Sequence, residues 1–182
     1  MSKVDSTNKV RNYLEKLTKD DLINLIFKFA PQSFIDNING QFASNKEALT
    51  MFNRVSKTID NILSDEGLLY EPNGFEQELL KQLEKIKGLW DKLPIQIGDL
   101  IIEIIEGVEQ AFEDGYLYIE NYGEKDDYFE SEDINNYMFQ FANNLPNKIK
   151  FDYVEKLKET ISNSGYSTFM SIEEKLSNSD KL

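Results

Sequence analysis

Neither cysteine nor histidine occurs anywhere in the 182 residues. Without a thiol there is no disulfide, no thiolate metal site and no cysteine nucleophile; without an imidazole there is no histidine general base and no Ser-His-Asp triad. Most familiar hydrolase chemistry is thereby excluded, and no glycine-rich phosphate loop is present. Long apolar runs are missing as well. No stretch approaches the roughly 18 uninterrupted apolar residues of a membrane span, and the polar start MSKVDSTNKVRNYLEKL lacks the apolar region of a secretory signal. These absences predict a cytoplasmic protein without membrane contact, cofactor or metal. Positive charge is the scarce sign: 20 Lys and Arg stand against 33 Asp and Glu, a net charge of −13. Such a field opposes binding to nucleic acid or anionic lipid and favours solubility and cationic partners.

Hydrophobic residues make up 40% of the chain and aromatics 12%, enough at this length for a packed core and too apolar for a disordered polymer. A single domain over 1–182 is expected, with a frayed tail at 177–182. The abundance of Asn, Lys and Ile suggests an AT-rich, bacterial coding sequence.

Helical periodicity dominates. Val10, Tyr13, Leu14 and Leu17 mark a short amphipathic helix. Thr18 with Asp21 three residues on has capping-box spacing and should start a second, apolar nearly all round and therefore covered by neighbours on more than one side. Pro31 stops that helix and opens another, with Phe34, Ile35 and Ile38 on one face. Ser44 and Glu47 repeat the capping box before the stripe Leu49, Phe52, Val55, Ile59, Ile62 and Leu63. "YEPNG" reads as a turn, followed by a helix through Phe75, Leu79, Leu83, Ile86 and Leu93, with Trp90 as a core anchor. Pro94 opens the most strongly periodic segment, from Ile97 to Phe112. Ile134, Tyr137, Met138, Phe141 and Leu145 form a further stripe, as do Phe151, Val154, Leu157 and Ile161, with Gly165 as a stop. "STFMSIEEKL" is short and amphipathic. Eight or nine amphipathic helices and no convincing alternating strand predict an all-α fold, an irregular helical array or bundle. The segment "YLYIENY" alone could be locally extended.

The run "YLEKLTKDDLINLIFKFAPQSFIDNI" resembles the helical region of bacterial proteins that carry a SWIM zinc finger. "LPIQIGDLIIEIIEGVEQAFEDG", followed by Lys125, Asp126 and Asp127, is similar to the long helix and acidic turn of that region. The zinc motif of that family needs cysteines and a histidine, which this chain lacks. The resemblance therefore implies a TPR-like or HEAT-like helical platform with a scaffold or partner-binding role, and it carries no functional residue across.

Residues 114–133, "DGYLYIENYGEKDDYFESED", hold nine chargeable side chains, one of them basic, and four tyrosines. The spacing fails an EF-hand loop: with Gly123 at the sharp turn, tyrosines fall where ligands belong. Glu124, Asp126, Asp127 and Glu130 could form a looser divalent site, but neighbouring acids of this kind are usually a solvated surface. The composition better suits recognition of a basic or amphipathic protein segment, with Tyr116, Tyr118, Tyr122 and Tyr128 as rigid amphipathic area beside Glu124, Asp126, Asp127 and Glu130. Glu103 and Glu106, within the most apolar helix, read as its solvated edge. Lys81, Lys85, Lys87 and Lys92 read as a solvated face paired with nearby acids, not a phosphate track. The functional expectation is a non-enzymatic protein-interaction module whose partner is a protein with a basic surface. The alternative is an immunity-like or nucleic-acid-mimicking blocker of a basic enzyme site. That alternative requires carboxylates spread along one face, whereas the linear reading finds them gathered in 114–133.

Overall fold

The computed structural model describes residues 10–117, 129, 131–163, 169, 172, 175 and 176. Among these every regular element is helical: α1 (residues 10–14), α2 (Lys19–Phe29), α3 (Gln32–Phe42), α4 (Asn45–Leu63), α5 (Glu66–Leu69), α6 (Pro72–Ile86), a 3-10 turn (Lys87–Leu89), α7 (Pro94–Glu113), α8 (Glu132–Asn144) and α9 (Asn147–Ser162). The all-α reading holds. All four prolines stand at helix starts. Pro72 and Pro94 are first helical residues, where the missing N–H costs nothing, and Pro31 and Pro146 immediately precede α3 and α9. Both expected capping boxes form, at Thr18 with Asp21 and at Ser44 with Glu47, each satisfying amide groups the first turn leaves open. Two readings of local structure change. "PNG" of the expected turn already belongs to α6, and the extra turn α5 forms because the Asp65 carboxylate accepts from the Leu68 amide at 3.2 Å.

The chain divides into two compact units, Met1–Ile35 and Asp36–Leu182. In the first, α2 departs from expectation. None of its residues is buried, and Phe27 and Phe29 are 72% and 68% exposed.

In the second unit α7 packs against α4 and α9, α6 against α4 and α8, and α8 against α9. Ile97, Ile101, Ile104 and Val108 of α7 are fully buried in a core shared with Ile59, Leu79, Leu83, Phe141 and Leu157. Trp90 is the expected anchor. Its indole Nε1 donates to the Tyr137 hydroxyl at 2.9 Å, and that hydroxyl donates to the Leu83 carbonyl at 2.8 Å. The Trp90 ring meets Tyr137 and Phe141 edge to face. The turn Lys87–Leu89 approaches α3 so closely that a Cβ on Gly88 would lie 2.2 Å from the Asn37 carbonyl oxygen.

Leu49 and Phe151 leave the stripes assigned to them. They are 44% and 72% exposed, whereas Ala48 and Val154 are buried. At about 100° per residue each lies roughly a quarter turn off the line its buried helix-mates define, Phe52, Val55 and Ile59 in one case and Val154, Leu157 and Ile161 in the other. A spacing of three places a residue on the flank of a stripe as readily as at its centre. Residues 164–168, with the expected stop at Gly165, lie outside the described residues. Beyond them Phe169, Ile172 and Leu176 are buried at the spacing an amphipathic segment requires.

Candidate functional site

Helix α7 carries five acidic residues and no basic one. Its core-facing residues fix its rotation, and that rotation turns the opposite side to solvent. Asp99, Glu103, Glu106 and Glu113, spaced four, three and seven apart, fall on this one exposed face. The row spans fourteen residues, roughly 21 Å at 1.5 Å per residue. The acids crowd one another. Glu103 is held above the ordinary carboxylate range, first by partial desolvation and then by repulsion from Asp60 of α4, Asp99 and Glu106, with Lys156 opposing. The Lys156 ammonium is itself engaged by Asp99 at 3.0 Å.

Beside the row, α7 and α9 enclose an open groove of about 390 Å³ lined by Glu106, Glu109, Gln110, Glu113, Lys156 and Glu159, among others. Four carboxylates thus face one ammonium. Glu109, unlike its neighbours in the row, is nearly buried at 9% exposure. Chemically this surface attracts cations and repels phosphate. Among the described residues no group of acids has the arrangement of a metal site.

The carboxyl end of α7 delivers the chain to the acidic tyrosine-rich stretch. Gly115 adopts φ +77°, its amide donating to Phe112 at 3.0 Å while the Tyr116 amide reaches back to Ala111 at 2.9 Å, a Schellman closure. Leu117 is buried at 3% exposure immediately before residues 118–128, and Phe129 at 3% immediately after. Phe129 packs against Phe75, Phe112 and Phe169. Ser131 turns the chain at φ 60°, with the buried Asn135 amide donating to its hydroxyl at 3.0 Å before α8 begins. Both feet of the stretch are therefore fixed in the core.

Of the expected contact residues, Tyr116 is described. It is half-buried, meets Tyr70 edge to face at 5.5 Å, and its hydroxyl is held above the ordinary phenol range chiefly by the neighbouring Glu66 carboxylate. Its ring is thus partly committed to the scaffold. Tyr118, Tyr122, Glu124, Asp126, Asp127, Tyr128 and Glu130, together with the extended reading of "YLYIENY" and the divalent-site alternative, lie outside the described residues.

Glu103 and Glu106 are exposed, as their reading as a solvated edge requires. The wider row is not evident along the linear sequence, because its acids are separated by apolar residues and come together only at helical spacing. Of the four lysines, Lys81 and Lys87 pair with Glu78 and Glu84, whereas Lys85 bonds the Gln82 amide oxygen and Lys92 the Ala43 carbonyl. The face is therefore only half as acid-paired as expected. No helix among the described residues is long and apolar enough to cross a membrane. Comparison with known proteins finds no matching family model, curated protein or solved structure.

Proposed function

We propose that the protein is a non-enzymatic interaction module that binds a protein with a basic surface through the outer face of α7. The observation that supports this most directly is the exposed row Asp99, Glu103, Glu106 and Glu113, in which partial desolvation and then repulsion from neighbouring acids disfavour the ionised state of Glu103. A Lys- or Arg-bearing segment laid along the row relieves that repulsion, whereas an anionic partner increases it. Residues 114–133, next in the sequence, hold eight further acids and four tyrosines, a composition that suits the same kind of partner.

Capture from a lysate of the source organism, followed by titration of the identified partner, tests the reading. Glu103→Lys with Glu106→Lys should reduce affinity at least tenfold, and Asp126→Lys with Asp127→Lys should reduce it further, with thermal unfolding little changed. Undiminished affinity in the first pair would remove the α7 face from the interface.

The spread of carboxylates along α7 favours a second reading, a charge-mimicking blocker of a basic enzyme site. DNA presents one charge per about 3.4 Å of axis on each strand, and the row offers one per roughly 5 Å where its acids are densest. Salt weakens both, because exposed carboxylates carry the contact in each. Competition separates them: duplex DNA should displace a mimic from a basic enzyme site and leave a partner bound elsewhere in place.

A further inference from the structure

An open groove of about 760 Å³ lies wholly within the second unit, where the carboxyl half of α3 meets the amino half of α4. Ile38, Phe42, Ala43 and Met51 supply its apolar lining, and Lys46 and Arg54 stand along it on α4. Phe42, 84% exposed, is the most exposed large apolar side chain among the described residues. The groove is built on fixed supports. The Lys92 ammonium donates to the Ala43 carbonyl at 2.6 Å, the Ser44 and Glu47 capping box sets the start of α4, and a Cβ on Gly40 would lie 3.0 Å from the Gly88 backbone. Its charge is the reverse of the α7 face. Neither Lys46 nor Arg54 has an ion-pair partner among the described residues, and Arg54 is the sole arginine of residues 36–182. The one carboxylate in the lining, Glu47, is already engaged by the Ser44 amide and hydroxyl at 2.8 and 2.6 Å.

We propose that this groove docks an amphipathic helix of a partner protein, apolar on the face laid against Phe42 and Met51 and bearing two carboxylates about two turns apart. Charge complementarity commits the groove to that occupant. Lys46 and Arg54 are eight residues apart on α4, roughly 12 Å along its axis. Acids seven or eight positions apart on a helix span about the same distance and leave room between them for apolar anchors at i, i+3 and i+4. A small ligand with one carboxylate reaches only one of the two cations. The Arg54 guanidinium, planar and able to grip a carboxylate through two parallel hydrogen bonds, is the stronger of the pair. A polyanion such as nucleic acid is opposed by the net charge of −13, which a helix with two local acids meets far more weakly. The described acids of residues 10–35 do not offer the pattern: Asp20 and Asp21 are adjacent, Asp21 closes a capping box, and Glu15 pairs with Arg11. This inference does not rest on the α7 reading, which concerns another surface and a basic partner.

The test is titration of the full chain with a synthetic helical peptide roughly four turns long, carrying a Leu and Phe stripe and two glutamates about two turns apart, read by the methionine methyl signals in NMR. The peptide should bind saturably and move the Met51 methyl signal, while that of Met138, buried in the core, stays in place. Phe42→Ser and Arg54→Glu should each weaken binding about tenfold. Both residues are exposed, so the variants should keep the wild-type circular dichroism. A peptide with lysine in place of one glutamate should regain affinity for Arg54→Glu, a rescue that damage to the fold could not give. Absence of saturable binding would overturn the proposal, as would equal binding of a peptide with glutamine at both positions. So would phosphatidylglycerol vesicles that displace the peptide and move the Met51 signal by themselves, because the groove would then be a lipid site.

Discussion

Two tyrosines with buried hydroxyls on neighbouring helices show how much the fate of one hydroxyl decides. The Tyr137 hydroxyl accepts from Trp90 and donates to the Leu83 carbonyl, whereas the equally buried Tyr153 hydroxyl has no hydrogen-bond partner among the described residues. Burial pushes both phenols well above their ordinary range of about 10. Tyr137→Phe strands the Trp90 donor and one carbonyl, and should cost about 1–3 kcal/mol. Tyr153→Phe strands nothing and should leave stability unchanged or slightly raised. Urea unfolding of the two variants checks the contrast, and a comparable loss in both would mean that the Tyr153 hydroxyl has a partner. The sign with pH is the same for both residues. Because the folded pKa values are raised, their neutral forms contribute stability that is fully present below the ordinary phenol pKa and lost as pH climbs above it.

At the scale of helices, the ends were more legible than the faces. Proline at an opening position and Ser or Thr three residues before an acid act through the local backbone alone, so Pro31, Pro94, Thr18 and Ser44 could be read without knowing any neighbour. Even so, "YEPNG" misled, because Pro72 starts a helix as readily as it makes a turn. Faces depend on what lies opposite. The exposure of α2, Leu49 and Phe151 and the gathering of acids on α7 follow from packing that no local pattern encodes. Gly88 belongs with these. Nothing in "KIKGLWD" shows that its Cα lies against the α3 backbone, yet Gly88→Ala would place a carbon 2.2 Å from the Asn37 carbonyl oxygen. That overlap is with backbone and cannot be relieved by a rotamer change, so the variant should lose about 3 kcal/mol or more. A thermal midpoint within a degree or two of wild type would show that α3 yields easily. The tyrosine-rich stretch was legible as composition, and its anchoring by Leu117 and Phe129 became visible only in the fold.

Over the whole molecule, as far as the described residues extend, the crowding of acids carries its cost at Glu103 on the outer face of α7. The folded pKa of Glu103 is raised, so the contribution of its neutral form is present below the ordinary carboxyl value of 4.5 and is lost as pH rises through the folded value. At neutral pH the ionised Glu103 carboxylate therefore weighs against the fold. Glu103→Gln should raise the thermal midpoint slightly at pH 7, by an amount that shrinks as salt screens Asp60, Asp99 and Glu106. The gain should vanish in acid below the ordinary carboxyl range. A midpoint lowered at pH 7 would mean that the carboxylate is paired and not repelled. Trp90, the sole tryptophan of the chain, has a different consequence. Its indole is nearly enclosed, hydrogen-bonded to Tyr137 and overlain by the Lys87 ammonium at 5.4 Å from the ring centroid. The protein thus carries its one indole fluorophore in the junction of α6 and α8, where its emission colour registers whether that junction is intact.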